Sequence, residues 1–161
     1  VAIMHNAIDK LFTDGKGMLY IQGGFGIGKT YTLKCATKMA VDYGYEALYI
    51  RHNILIDDLR QSYDDKSGQA SYREKLNRYK NIQFLAIDEF GRERLTEFSK
   101  NAMAELYDAR YEKAINGNLI TILASNFSPE NTMDAYMLDR ARDLRCKVLE
   151  LKGKSWRING K

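Results

Sequence analysis

Two hydrophobic periods alternate along this chain. Short apolar runs, of the kind that fill a strand covered on both faces, occur at residues 18–22, 47–50, 82–87, 119–124 and 146–151. Between them lie longer stretches with apolar residues three and four apart, the spacing of a helix packed along one side. Residues 29–43 carry Leu33, Ala36, Ala40 and Val41 in that pattern, and Gly44 stops it. A shorter helix is predicted over 54–62, around Leu55 and Leu59. The longest is predicted over 96–115, with Phe98, Met103, Leu106, Tyr107 and Ala114 buried and Asn116-Gly117 closing it. Residues 130–145 read as a last helix. The stretch 64–81 is polar and broken at Ser67-Gly68, and almost nothing precedes the first strand. Strands alternating with helices predict one α/β domain with a mostly parallel sheet.

The first apolar run leads straight into Gly23-Gly24-Phe25-Gly26-Ile27-Gly28-Lys29-Thr30, followed by Tyr31. This satisfies the pattern Gly-x4-Gly-Lys-Ser/Thr, set between a strand and a helix as that pattern requires. Glycines let successive backbone N–H groups turn toward an anion with no Cβ in the way, and the helix N-terminus adds a positive dipole end. Residues 23–31 are therefore the expected nucleotide contacts. Lys29 would reach the β- and γ-phosphates, and the Thr30 hydroxyl would take Mg²⁺.

The third run ends on Asp88-Glu89. A carboxylate there suits a hard cation, which gives Asp88 to Mg²⁺ and leaves Glu89 to orient and deprotonate an attacking water. Taken alone, the pair serves equally as a turn or a helix cap. With the phosphate loop upstream, it favours a hydrolase over a small-molecule kinase, which must keep water from the phosphoryl group. The fourth run ends on Ser125-Asn126. That amide either hydrogen-bonds the γ-phosphate and the water, or simply introduces the turn at Phe127-Ser128-Pro129. Leu138-Asp139-Arg140-Ala141-Arg142-Asp143 places two arginines on the late helix. A guanidinium can stabilise charge on transferring phosphoryl oxygens and can come from a neighbouring subunit. On composition alone, a salt-bridged surface helix fits as well.

Composition narrows the class without choosing within it. A chain of 161 residues suffices for one domain with its own core, and no apolar run nears the roughly 20 residues of a membrane helix. A net charge of +4 and a pI of about 9.0 suit ATP or nucleic acid as a partner and require neither. Cys35 and Cys146 stand far apart, and His5 and His52 are isolated, so zinc is not expected and a reducing cytoplasm is. A chain opening on Val1 reads as a C-terminal piece of a longer protein.

Together these motifs resemble the AAA+ ATPases of the DnaC/DnaI helicase-loader and IstB transposition-helper family. The resemblance is carried by residues 23–30, Ile87-Asp88-Glu89-Phe90-Gly91, Ala124-Ser125-Asn126, Leu138-Asp139-Arg140 and the closing Gly153-Lys154-Ser155-Trp156-Arg157, in the family's order. The first two blocks say only P-loop ATPase; the last two point to this family. The resemblance implies a P-loop NTPase (AAA+, ASCE) three-layer sandwich over 1–161, with a five-stranded parallel sheet of order 5-1-4-3-2. Only ten residues follow Leu151, a departure from the many AAA+ proteins with a helical lid, so no separate lid domain is expected within this piece. It implies ATP and Mg²⁺ as cofactors, Walker A at 23–30, Walker B at 84–89 and a sensor at Asn126. It also implies Arg140 as an arginine finger acting in trans, with Arg142 as second candidate, and hence a homo-oligomer on ATP binding. Arg157 becomes a further nucleotide or interface residue. Glu89, Asn126 and Arg140 are thus the catalytic candidates, and Thr30 and Asp88 the metal ligands.

Residues 63–80 interleave Tyr63, Tyr72 and Tyr79 with Lys66, Arg73, Lys75, Arg78 and Lys80. Basic groups track phosphates and aromatic rings stack on unpaired bases, which is the chemistry of single-strand binding. Asp64, Asp65 and Glu74 dilute the patch, and a solvated amphipathic helix accounts for it equally. The expected function is a cytoplasmic ATP hydrolase of DNA replication that binds single-stranded DNA and loads a replicative helicase. An ATPase assisting a transposase and a slow ATP-dependent DNA-binding switch are the alternatives, with a nucleotide kinase further off.

Overall fold

The computed structural model describes residues 2–64, 68–92, 96–153 and 155. Its five strands are β1 (Gly17–Gly23), β2 (Ala47–Arg51), β3 (Phe84–Asp88), β4 (Ile120–Ser125) and β5 (Cys146–Leu151). All pairings are parallel, in the order β2-β3-β4-β1-β5, which is the expected sheet read from its other edge. The central strands β3 and β4 are buried along their whole length, as their largely apolar runs require. β5, at one edge, buries Leu149 and leaves Lys147, Val148 and Glu150 exposed.

Helices α1 (Ala2–Asp14), α2 (Lys29–Asp42), α3 (His52–Asp64), α4 (Gly68–Asn81), α5 (Glu97–Asn116), α6 (Pro129–Thr132) and α7 (Ala135–Ala141) complete the fold. One apolar cluster joins Met4 and Ile8 of α1 and Leu33 and Ala36 of α2 to Leu19, Ile21, Phe84, Ala86 and Ile122 of the sheet. The other joins Leu55 and Leu59 of α3 and Leu106 and Tyr107 of α5 to Met18, Tyr20, Leu85, Ile87 and Leu123. Neighbouring residues of one strand go to opposite clusters, so the two-residue pleat divides the core into the layers of a three-layer sandwich. Among the described residues no helix is long and apolar enough to cross a membrane.

Three elements differ from the sequence expectation. The lead-in before β1 is a helix, because Met4, Ala7, Ile8, Leu11 and Phe12 recur at helical spacing and Phe12 stacks on Phe84 at 5.7 Å. Residues 130–145 are not one helix: Met133 is extended, and Asp134 restarts the chain by accepting a hydrogen bond from Met137 N–H at 2.8 Å. β3 begins two residues after the apolar run does, because Ile82 N–H still bonds Arg78 O at the end of α4.

One buried cation ties these layers. Arg110 of α5 is 1% exposed. Its Nε donates to Thr121 Oγ1 at 2.5 Å, Nη1 to Tyr79 O and Ile82 O at 2.9 Å each, and Nη2 to Ile120 O at 2.8 Å. Burial pushes the guanidinium down to about 9, which still leaves it charged at neutral pH. Replacing it strands three buried carbonyls, each worth about 1–3 kcal/mol when left without a donor. Arg110→Met is therefore expected to lower unfolding stability by roughly 3 kcal/mol in urea titrations, with Arg110→Lys recovering only part. A shift below about 1 kcal/mol would show that the four contacts are dispensable.

Candidate active site

β1 ends at Gly23 and α2 starts at Lys29, so the glycine-rich segment is the turn between them. Gly26 and Gly28 adopt φ of +74° and +95°, a region that side chains resist. Gly28 caps α2 without any side-chain hydrogen bond, leaving the first N–H groups of the helix for an anion. A Cβ on Gly26 would sit 2.1 Å from Ser155 Oγ, so the serine of the closing block rests against this turn. Beside it opens a cavity of about 610 Å³ lined by residues 25–31, Lys34, Asp88, Glu89, Arg92 and residues 124–126. The Phe25 and Tyr31 rings are largely exposed there. Gly23 and Gly24 are absent from that lining; they meet the site through Lys29.

Lys29 Nζ donates to Gly23 O at 2.7 Å, Gly24 O at 2.8 Å and Asn126 Oδ1 at 2.8 Å. Burial lowers its pKa, and the charge of Asp88 opposes that shift. Asp88 itself is 3% exposed. Its Oδ2 accepts from Thr30 Oγ1 and from Tyr49 OH, both at 2.7 Å, and its Oδ1 accepts from Glu89 N–H at 2.9 Å. Burial first, and then the hydrogen bond to Asp88, push the Tyr49 phenol up to about 12, so it stays a donor. Thr30 and Asp88 thus present adjacent hard oxygen ligands, the donor set that Mg²⁺ takes.

The turn after β3 is pinned from two sides. Glu89 has φ of +52°, and its Oε1 lies 3.2 Å from Arg92 Nη1. The next residue, Phe90, donates from N to Ala124 O at 2.8 Å and accepts from Ser125 Oγ at 2.6 Å. Its ring stacks on His52 at 4.9 Å, while Gly91 N–H donates to His52 Nδ1 at 3.2 Å. His52 is 2% exposed, and among the described residues its Nε2 has no partner. Burial pushes its pKa down from 6.5 to about 4.

Arg140 does not join this cavity in its own chain. Its Nε donates to Asp108 Oδ1 at 2.7 Å and its Nη2 to Tyr136 OH at 2.5 Å, with the guanidinium 3.9 Å over Tyr136 and 5.2 Å over Tyr111. Arg142 is more exposed and stands 3.6 Å from Glu130. The interleaved stretch forms α4, and much of its chemistry is turned inward. Tyr79 donates to Asp58, Lys75 pairs with Asp58, and Lys80 pairs with Glu105. Tyr63 and Tyr72 pack edge to face beside Phe98, while Arg73 and Arg78 stay exposed. Asp65, Lys66, Lys154, Trp156 and Arg157 lie outside the described residues. Sequence reasoning missed Tyr49 and Arg92. A lone hydroxyl in an otherwise apolar strand was the available signal for the first, and a cation three residues after Glu89 for the second.

The model of the family described as IstB-like ATP binding proteins matches residues 6–161. Among curated proteins, the replicative helicase loader DnaI of Bacillus subtilis (strain 168) is 29% identical over 116 residues, covering 72% of this chain and 35% of its own. The ATP-binding protein of insertion sequence IS1162 from Pseudomonas fluorescens is 30% identical over 114 residues, covering 71% of this chain and 45% of its own. The chain therefore spans less than half the length of these relatives. A crystal structure of DnaI superposes with a TM-score of 0.75 at 22% identity, covering 94% of this chain and 84% of the other. The replication initiator DnaA bound to AMPPCP and single-stranded DNA superposes with a TM-score of 0.71 at 21% identity, covering 95% and 45%. Fold and strand order are those of the P-loop AAA+ proteins.

The His52 contact carries a pH dependence. Between about pH 6.5 and about 4 the unfolded chain binds the proton that the native His52 refuses, so stability falls as pH drops through that window. The loss attributable to His52 is about 3 kcal/mol. Urea titrations at pH 7 and pH 4 should show a stability loss smaller by roughly that amount in His52→Phe than in the wild type. Equal losses in both proteins would mean that another group governs the acid limb.

Proposed function

Because the chain belongs to the family of IstB-like ATP binding proteins, we propose that residues 1–161 are the ATP-hydrolysing core of an oligomeric, DNA-directed protein of the helicase-loader kind. The observation that carries the reading is the convergence of Lys29, Thr30, Asp88, Glu89 and Asn126 from three strand ends on one cavity beside a helix N-terminus that no side chain caps. The loop N–H groups hold the phosphates, which replace Gly23 O, Gly24 O and Asn126 Oδ1 as partners of Lys29. Thr30 and Asp88 would hold Mg²⁺, which would supply positive charge beside the phosphates. Asn126, released from Lys29, hydrogen-bonds the γ-phosphate and the attacking water. Glu89 parts from Arg92 and takes a proton from that water as its oxygen bonds to the γ-phosphorus and the bond to the β-phosphate oxygen breaks.

Arg140 completes the site of a neighbouring subunit. To do so it gives up Asp108, while its stacking on Tyr136 keeps it presented at the surface. The more exposed Arg142 is the alternative finger. The family supports ATP as the ligand, and the DnaI relative supports a replicative helicase as partner. The insertion-sequence relative supports the second reading, an ATPase that assists a transposase. Single-stranded DNA is the proposed nucleic-acid ligand, with Arg73 and Arg78 its exposed cations on α4.

Phosphate release measured with and without single-stranded DNA tests the reading. Lys29→Ala should lose ATP binding. Glu89→Gln should keep it and slow hydrolysis by about 100-fold or more. Arg140→Ala and Glu89→Gln subunits, each inactive alone, should regain activity when mixed. Normal turnover by Glu89→Gln would remove Glu89 as the base, and no recovery on mixing would remove the shared site.

A further inference from the structure

Tyr49 stands on β2, an edge strand none of whose residues lines the cavity. Its register partner is Ala86, two residues before Asp88 on the neighbouring strand, so all three project from one face of the sheet. From there its phenol crosses to Asp88 Oδ2 at 2.7 Å, the same oxygen that accepts from Thr30. A carboxylate offers about four acceptor positions. The two hydroxyls occupy Oδ2, and Glu89 N–H takes one position on Oδ1, which leaves a single position there.

We propose that Tyr49 is a positioning residue of the Mg²⁺ site, fixing the Asp88 carboxylate so that one oxygen alone faces the ion's water shell. This rests on the ATPase reading above. Packing does not call for the hydroxyl, since a phenylalanine would fill the same half-apolar position. Lys34 Nζ, 5.5 Å over the ring and itself at the cavity wall, holds the ring from the α2 side. Without the phenol, Oδ2 keeps only Thr30, the carboxylate gains a second open position, and the water shell loses its single orientation. Partners that orient a metal ligand typically contribute about 10-fold or more to metal affinity.

The test uses the 161-residue chain and a fluorescent N-methylanthraniloyl ATP analogue. Nucleotide affinity is measured in EDTA, and the Mg²⁺ concentration for half-maximal effect at fixed nucleotide. Tyr49→Phe should leave the EDTA affinity at the wild-type value and raise the Mg²⁺ requirement about 10-fold. Mn²⁺ bound to the nucleotide-loaded protein, followed by paramagnetic resonance, should weaken in parallel, and a urea midpoint verifies that the variant is folded. A Mg²⁺ requirement within about twofold of wild type, or an equal loss with and without the ion, would overturn the assignment. Failure of the wild-type chain to bind the analogue at all would overturn the ATPase reading and this assignment with it.

Discussion

The buried charge of Asp88 is the constraint around which the site is built. An ionised carboxylate shut away from water costs several kcal/mol unless donors surround it. Here they come from three places: the first turn of α2, the middle of β2 and the backbone just beyond β3. Only a particular topology brings them together. β1 must lie inside the sheet, so that the helix it launches leans over β3, and β2 must flank β3 on the other side. From β1 the chain runs to the far edge and later returns to its opposite flank as β5, which makes the tip of β1 the point where the winding reverses. Ligands of open α/β sheets collect at such points.

A second set of contacts makes the strand tips behave as one piece. Phe90 is bonded to β4 through both its N–H and its carbonyl, and its ring is held by His52 at the start of α3. The turn that carries Glu89 is thereby locked to the strand that leads into Asn126. A displacement of either residue is felt by the other through short, buried hydrogen bonds rather than through a long lever. Thr132 extends the same network, because it shares a 2.9 Å hydrogen bond with the Tyr20 hydroxyl, which also donates to Phe127 O.

What was legible in the sequence is what local pattern determines. The five apolar runs gave the strands, and the glycine turn, Asp88-Glu89 and Asn126 stood at their ends because parallel strands deliver their tips to one edge. The rest depends on neighbours that are distant in sequence. Tyr49 reads as an ordinary strand residue until the β2–β3 register sets it diagonally across from Asp88. Arg110 reads as a surface cation in a helix, since its acceptors are carbonyls of other elements that no side-chain pattern records. In α4, the alternation of tyrosines with cations reads as an open face for DNA. The structure spends Tyr79 and Lys75 on Asp58, because α3 runs alongside. The periodicity of α1 was available and simply lies ahead of the motifs that draw attention.

Glu89 holds a left-handed backbone at φ +52°, which costs a side chain about 1–2 kcal/mol that glycine would not incur. Stability and the proposed chemistry of Glu89 therefore pull this position in opposite directions. A library of this chain screened only for heat resistance would drift toward glycine there, gaining tolerance while discarding its carboxylate. Thermal hardening of such a protein has to begin elsewhere, at sites with no stake in the cavity, and the strain at residue 89 has to be left in place.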